Sequence, residues 1–237
     1  MGSTVDEEDA RMMPDDAAEP ADDLLAAAYA LDSPAANRTL YARWADTYDS
    51  GFVVDRGYEY HEQVAKVFAA RGLGLDGPGD VVVDIGCDTG LAGQALRQHR
   101  DIAVDGVDIS PDMLRRAAGK RHDDIPVYRR LVEADLTRPL DIPDDNYAGA
   151  ISAGTFTHGH VGPDALSEIV RIVRPGGSAA IGINAAHFVA AGFEPVLEQL
   201  ARQGRVADLQ LIDVPIYAGA DMHDPDQFAH IAVLTVG

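Results

Sequence analysis

Cysteine is almost missing from this chain. Cys87 is the only one among 237 residues, so neither a disulfide framework nor a four-thiolate zinc site can be built. A single thiol fits a reducing interior. Positive charge is scarce too: 19 Lys and Arg face 39 Asp and Glu, for a formal charge of −20. Phosphate backbones repel such a surface, which argues against nucleic acid held on a basic face. Anionic membrane surfaces are disfavoured by the same sign of charge. Long apolar runs are lacking. The two quietest stretches, 147–163 and 175–193, carry no formal charge but are interrupted by Gly, Pro, Asn or His, so no segment reads as a bilayer span. The first residues show no basic-then-apolar leader pattern, and the expectation is a cytoplasmic protein.

What is present is ordinary for a globular chain: 46% apolar and 24% charged residues. At roughly 150 residues per domain, the length suits one large domain or one domain with appendages. Residues 1–22 are acidic, contain Pro14 and Pro20, and read as a disordered tail. Residues 23–75 read as helical. A helix is expected over 24–30, and another over 37–48, where Leu40, Tyr41, Trp44 and Tyr48 recur at three- and four-residue spacings. A third covers 61–70 and ends at Arg71-Gly72-Leu73-Gly74.

From residue 76 onward strands and helices alternate. Val81-Val82-Val83-Asp84-Ile85 is a short β-branched run, the pattern of a buried parallel strand. Further strands are expected over 102–109, 127–134, 147–153 and 178–184. Helices are expected over 91–98, with Thr89 as cap, and over 163–173 and 188–202. Ser110-Pro111-Asp112 supplies a cap, a proline and an acid for one more helix. Arg174-Pro175-Gly176-Gly177 reads as a reversing turn. Then the alternation stops: strands over 209–217 and 228–236 have no helix between them and should pair antiparallel. The implied fold is α/β, a doubly wound, mostly parallel sheet with an antiparallel last strand. In such sheets ligands bind beyond the carboxyl ends of the central strands.

The loop Asp84-Ile85-Gly86-Cys87-Asp88-Thr89-Gly90 lacks the Gly-x-Gly-x-x-Gly spacing that cradles a pyrophosphate. It carries carboxylates instead. At ~4 Å and an effective dielectric of about 20, each carboxylate–phosphate contact costs about 4 kcal/mol, so the loop suits a ligand with positive charge. Asp108, ending the second strand, can accept two hydrogen bonds from a ribose diol, a role shared with nicotinamide enzymes. Asp135 can accept a bond from an adenine amino group, with Leu136 packing on the ring.

Four ordered segments then carry a resemblance. Val82-Val83-Asp84-Ile85-Gly86-Cys87-Asp88-Thr89-Gly90, Val107-Asp108-Ile109-Ser110-Pro111-Asp112-Met113-Leu114, Glu133-Ala134-Asp135-Leu136 and Arg171-Ile172-Val173-Arg174-Pro175-Gly176-Gly177 resemble the motifs of class I S-adenosylmethionine-dependent methyltransferases. The segment Leu40 to Asp49 is similar to the helical lid of small-molecule members, including methyltransferase-like proteins of the Williams–Beuren region type. The resemblance implies a Rossmann-like domain over 76–237 under a lid over 23–75. It implies S-adenosylmethionine as cofactor and S-adenosylhomocysteine as product. Asp84 and the backbone of Gly86, Cys87, Asp88 and Gly90 would hold the methionine amino group, and Asp108 the ribose. Ile109, Asp135 and Leu136 would hold the adenine. Met113 and Ala153 would complete the cofactor site, and Tyr41, Trp44 and Tyr48 would close over the methionine part. The family usually has Gly where this chain has Asp88; Asp tolerates a left-handed backbone, so the departure bears on cofactor affinity more than on fold.

The methyl acceptor should lie beyond the fourth strand, at Gly154-Thr155-Phe156-Thr157-His158-Gly159-His160. Either His158 or His160 can take a proton or anchor the acceptor, and loop or capping roles stay open for both. No third ligand accompanies the pair, so a metal site is not expected. His187 is a weaker candidate, and residues 221–226 read as an acidic hairpin loop. The expected activity is methylation of oxygen or nitrogen in a small molecule by a monomer or homodimer. A non-catalytic cofactor-binding subunit is the alternative. A nicotinamide oxidoreductase is opposed by the loop carboxylates, and protein acceptors stay open.

Overall fold

The computed structural model describes residues 21–31, 33–71, 75, 77, 79–158 and 160–237. The chain begins there with helices α1 (Ala21–Tyr29) and α2 (Pro34–Trp44), a π-helical turn (Tyr48–Val53), and helices α3 (Val54–Arg56) and α4 (Tyr60–Arg71). Strand β1 (Val81–Ile85), α5 (Leu91–His99), β2 (Ala103–Asp108) and α6 (Pro111–Ala117) follow, then a small hairpin of β3 (Arg121–His122) and β4 (Ile125–Pro126). Next come β5 (Tyr128–Glu133), β6 (Tyr147–Phe156), α7 (Ala165–Ile172) and β7 (Val173–Asn184). The chain ends with α8 (Ala185–Ala191), α9 (Phe193–Arg202), β8 (Val206–Pro215) and β9 (Phe228–Val236).

Seven strands form one sheet in the order β5-β2-β1-β6-β7-β9-β8. β1 pairs parallel with β2 and β6, and the parallel pairing continues outward to β5 and β7. β9 inserts antiparallel between β7 and β8. This is the doubly wound, mostly parallel Rossmann-like sheet expected, and the last two strands pair as their short connection requires. The strand order reverses between β1 and β6, which opens a crevice above their carboxyl ends.

Side-chain alternation divides the core. Val81, Val83 and Ile85 of β1 pack in one layer with α7, α8 and α9, while Val82 packs in the other with α4 and α5. Tyr60, Val64, Ala65 and Phe68 of α4 lie in that second layer, so α4 belongs to the sandwich and not to a lid. The earlier helices make a third, aromatic cluster of Leu24, Leu40, Trp44, Tyr48 and Phe52, joined by Met113 of α6.

Several elements depart from expectation. Helix α2 starts at Pro34, where the Ser33 hydroxyl caps the Ala36 N–H, and it stops at Trp44; Tyr48 opens the π-helical turn. Thr89 does not cap α5. Gly90 occupies that position with φ 93°, and the Thr89 hydroxyl donates to Asp49 at 2.6 Å, tying the β1 loop to the π-helical turn. The turn expected at 174–177 is a bulged lead-in to β7: Val173 pairs with Tyr147 and Ser178 with Gly149, and the residues between are absorbed as a register shift. The helix expected over 188–202 is two, broken at Gly192 with φ 73°. The unexpected β3–β4 hairpin turns on Asp123 and Asp124, both at positive φ as a type I′ turn requires. Of the acidic tail expected over 1–22, Ala21 and Asp22 instead open α1, while residues 1–20 and the Gly72-Leu73-Gly74 helix stop lie outside the described residues. Among the described residues no helix is long and apolar enough to cross a membrane.

One buried ion pair joins β2 to β5. Asp105 is 0% exposed and receives Arg129 Nε at 2.9 Å and Nη2 at 2.8 Å. Arg129 is half-exposed, and Arg129→Leu leaves the buried carboxylate with only the Tyr147 hydroxyl at 3.4 Å, which should lower the unfolding free energy by about 2 kcal/mol in urea titration. A loss under about 0.5 kcal/mol would show that the pair does not hold the sheet edge.

Candidate active site

The loops that follow β1, β2, β5 and β6 surround an open-mouthed cavity of about 740 Å³, roofed by α2 and the π-helical turn. The β1 loop reaches it through two left-handed residues. Gly86 has φ 64°, and a Cβ there would overlap the Thr155 hydroxyl, which donates to the Ile85 carbonyl at 2.9 Å. Asp88 has φ 50°, so the side chain standing in place of the usual glycine keeps the backbone turn. Asp108 fixes this loop to the end of β2: its two oxygens accept the Asp88 N–H at 2.9 Å and the Ser110 N–H at 2.8 Å. The Ser110 hydroxyl caps α6 through the Met113 N–H, as its motif requires.

The site concentrates negative charge. Burial pushes the Asp88 carboxyl well above the carboxylate range, and the Asp108 charge adds to it; Asp88 Oδ1 has no hydrogen-bond partner. Burial raises Asp108 as well, opposed by three backbone N–H donors. Among the described residues that line the cavity there is no Lys or Arg.

A second cavity, of about 490 Å³, adjoins the first. Tyr41, Tyr48, Gly154 and His160 line both. His160 is oriented by its neighbours. Its Nδ1–H donates to the His158 carbonyl at 2.7 Å, which leaves the Nε2 lone pair toward the Tyr41 hydroxyl at 2.9 Å. Burial holds the His160 pKa below its usual value, so the ring is neutral at pH 7 and its basic nitrogen accepts from the Tyr41 hydroxyl.

Three comparisons with known proteins bear on this arrangement. A family model described as "Methyltransferase domain" matches residues 82–177. Demethylmenaquinone methyltransferase of Symbiobacterium thermophilum is 34% identical over 104 residues, 42% of this chain and 41% of that protein. Human methyltransferase-like protein 27 is 27% identical over 161 residues, 64% of this chain and 59% of that protein. The structure of a TehB-like SAM-dependent methyltransferase from Corynebacterium glutamicum superposes with a TM-score of 0.52 at 25% identity, covering 86% of this chain and 100% of that one. Residues 82–177 thus carry a methyltransferase domain, set in a Rossmann-like sheet. The chain's match spans about four-tenths to six-tenths of the length of the two curated relatives.

S-adenosylmethionine is the cofactor of this methyltransferase domain, and the larger cavity suits it. A cation relieves the two crowded acids Asp88 and Asp108, and the unpartnered Asp88 oxygen is free to meet it. The structure brings Tyr41, Tyr48, Gly86, Asp88, Asp108, Ile109, Met113, Asp135, Leu136, Ala153 and His160 to the cavity wall.

It does not bring Asp84, Cys87, Gly90, Trp44 or His158 there. Asp84 lies on the opposite side of β1, where the Tyr128 hydroxyl donates to it at 2.6 Å and burial lifts its pKa to about 7. A Cβ on Gly90 would meet the Tyr128 ring at 2.7 Å, and the Cys87 thiol packs near Gly106, both behind the loop. Trp44 stands one layer out, stacked on Tyr41 at 5.8 Å, and lines the second cavity. The His158 ring packs between Tyr29 and His187, outside both cavities; only its carbonyl serves the site, through His160. His187 is likewise spent on the Val161 carbonyl at 3.0 Å.

Ser33, Asn37 and Thr137 also line the larger cavity and were not anticipated. The Ser33-Pro34 cap signal would have placed the first two at the start of α2.

Proposed function

We propose that this domain transfers a methyl group to oxygen or nitrogen of a small molecule seated in the second cavity, with His160 taking the acceptor's proton. The observation that carries this is the placement of His160 on the wall common to both cavities with Nε2 unprotonated. S-adenosylmethionine, when bound, would supply an electrophilic methyl on a sulfonium, with the neutral thioether as leaving group. Asp108 holds the ribose. Ile109, Leu136 and Asp135 hold the adenine, and Asp88 with the loop backbone meets the amino end. Tyr41 and Tyr48 exclude water from the junction, with Trp44 bracing Tyr41. Alignment and water exclusion supply most of the rate, and the base adds to it where the acceptor must lose a proton. Formal charge of −20 supports a small-molecule acceptor over nucleic acid.

The test is incubation with methyl-labelled S-adenosylmethionine and fractionated cell metabolites. Label passing to a low-molecular-weight fraction supports the reading. Cofactor binding with no transfer to any fraction turns it toward the non-catalytic subunit.

Charge on the buried acids gives a pH dependence. Asp84, Asp88 and Asp108 all have raised folded-state pKa values. These three acids take up protons on folding, so their contribution to stability is lost as pH rises from about 4 through about 7, where Asp84 titrates, while the lowered pKa values of His61, His160 and His187 act in the opposite direction. A bound cation favours ionised Asp88 and Asp108, so cofactor affinity rises with pH, up to about tenfold per pH unit for each proton released. Melting curves at pH 5.5 and 8 should show a larger upward shift with cofactor at pH 8. The opposite order would contradict buried, protonated acids.

A further inference from the structure

The second cavity carries information about the acceptor. Its walls are aromatic: Trp44 and Phe52 lie 5.1 Å apart, Phe52 and Tyr58 5.2 Å, and Tyr58 and Tyr217 6.0 Å, ring centre to ring centre. Among the described residues that line it, none carries a formal charge apart from whatever proton His160 takes up. An ionic acceptor would leave water without a counter-charge.

Two buried polar atoms in that wall have no hydrogen-bond partner, the Tyr60 hydroxyl and Asn184 Nδ2. Both residues are 2% exposed. The Asn184 amide is not free to turn, because its Oδ1 accepts the His187 N–H at 3.0 Å and caps α8. Nδ2 is therefore a committed donor. The Tyr60 hydroxyl sits over β7 at Gly182, where a Cβ would overlap it, and Asn184 is two residues further along, on the same face of that strand. The two groups thus address one end of the cavity, and neither lines the cofactor side. Buried donors left unpaired are costly, so their retention points to a ligand oxygen between them.

We infer that the acceptor is a neutral aromatic molecule carrying a phenolic, hydroquinone-type oxygen held by Tyr60 and Asn184, while a second hydroxyl, the nucleophilic one, faces His160. This rests on the reading that the larger cavity holds the cofactor. Aromatic walls also attract ammonium groups, but the Asn184 N–H, a donor only, opposes a cation there.

Calorimetric titration of the full chain, saturated with S-adenosylhomocysteine, with 1,4-hydroquinone, toluene and tyramine tests it. Hydroquinone should bind at least tenfold more tightly than toluene or tyramine. Tyr60→Phe should remove that preference, weakening hydroquinone about tenfold, while S-adenosylhomocysteine affinity is unchanged and Tm does not fall, because the deleted hydroxyl had no partner. Asn184→Asp, which keeps the cap oxygen and loses the donor, should act in the same direction on hydroquinone. Preference for tyramine, equal binding of toluene, no hydroquinone binding at millimolar concentration, or an unaltered Tyr60→Phe variant would each overturn the inference. Failure of S-adenosylhomocysteine to bind at all overturns the cofactor reading instead, and is read in the first titration.

Discussion

Asp108→Ala should weaken S-adenosylhomocysteine binding at least 100-fold, about 2.8 kcal/mol, by titration calorimetry. Three consequences of the substitution act together. The carboxylate that faces the ribose is gone. The Asp88 N–H loses its acceptor at 2.9 Å and the Ser110 N–H loses one at 2.8 Å, so the β1 loop is released from the end of β2. Asp108→Asn keeps one oxygen acceptor and should fall between. Cooperative urea unfolding of the variant, followed by circular dichroism and compared with wild type, separates loss of the site from loss of the fold. Affinity within threefold of wild type would remove Asp108 from the site.

His160→Ala should slow methyl transfer by about 100-fold or more, the range a positioned general base supplies, with cofactor affinity little altered. Its ring lies against Tyr41 at 5.7 Å and is fixed through both nitrogens, so the basic Nε2 is presented in one orientation. Burial lowers its pKa, so the wild-type rate should be flat near neutrality and fall only on the acid side as the ring protonates. The variant should lose that acid limb. Tyr41→Phe keeps the ring and removes the hydroxyl, and should cost less, about tenfold. A His160→Ala rate equal to wild type at every pH would show that the acceptor needs no base here.

The sequence and the structure part company in instructive places. The Val81-Val82-Val83 run and the Ser110-Pro111 cap placed β1 and α6, because each signal is local. Asp84 was misplaced although alternation could have placed it: it lies two residues from Val82, on the face away from Val81, Val83 and Ile85. That face meets Tyr128, not the cavity. His158 and His160 are indistinguishable by composition, and only the turn between them decides which ring enters the cavity. The second cavity had no local signal. Tyr60 and Asn184 are brought together by α4 crossing β7, a tertiary contact that no short motif encodes. The β3–β4 turn used Asp123-Asp124 where glycine is the usual marker, and so went unread.

The most direct test is a crystal structure of the protein grown with S-adenosylhomocysteine. Density should fill the larger cavity, with the ribose hydroxyls on Asp108, the adenine between Ile109 and Leu136 beside Asp135, and the amino end at Asp88. Density at any other place on the molecule, or none at a saturating concentration, would contradict a cofactor site above β1 and β2.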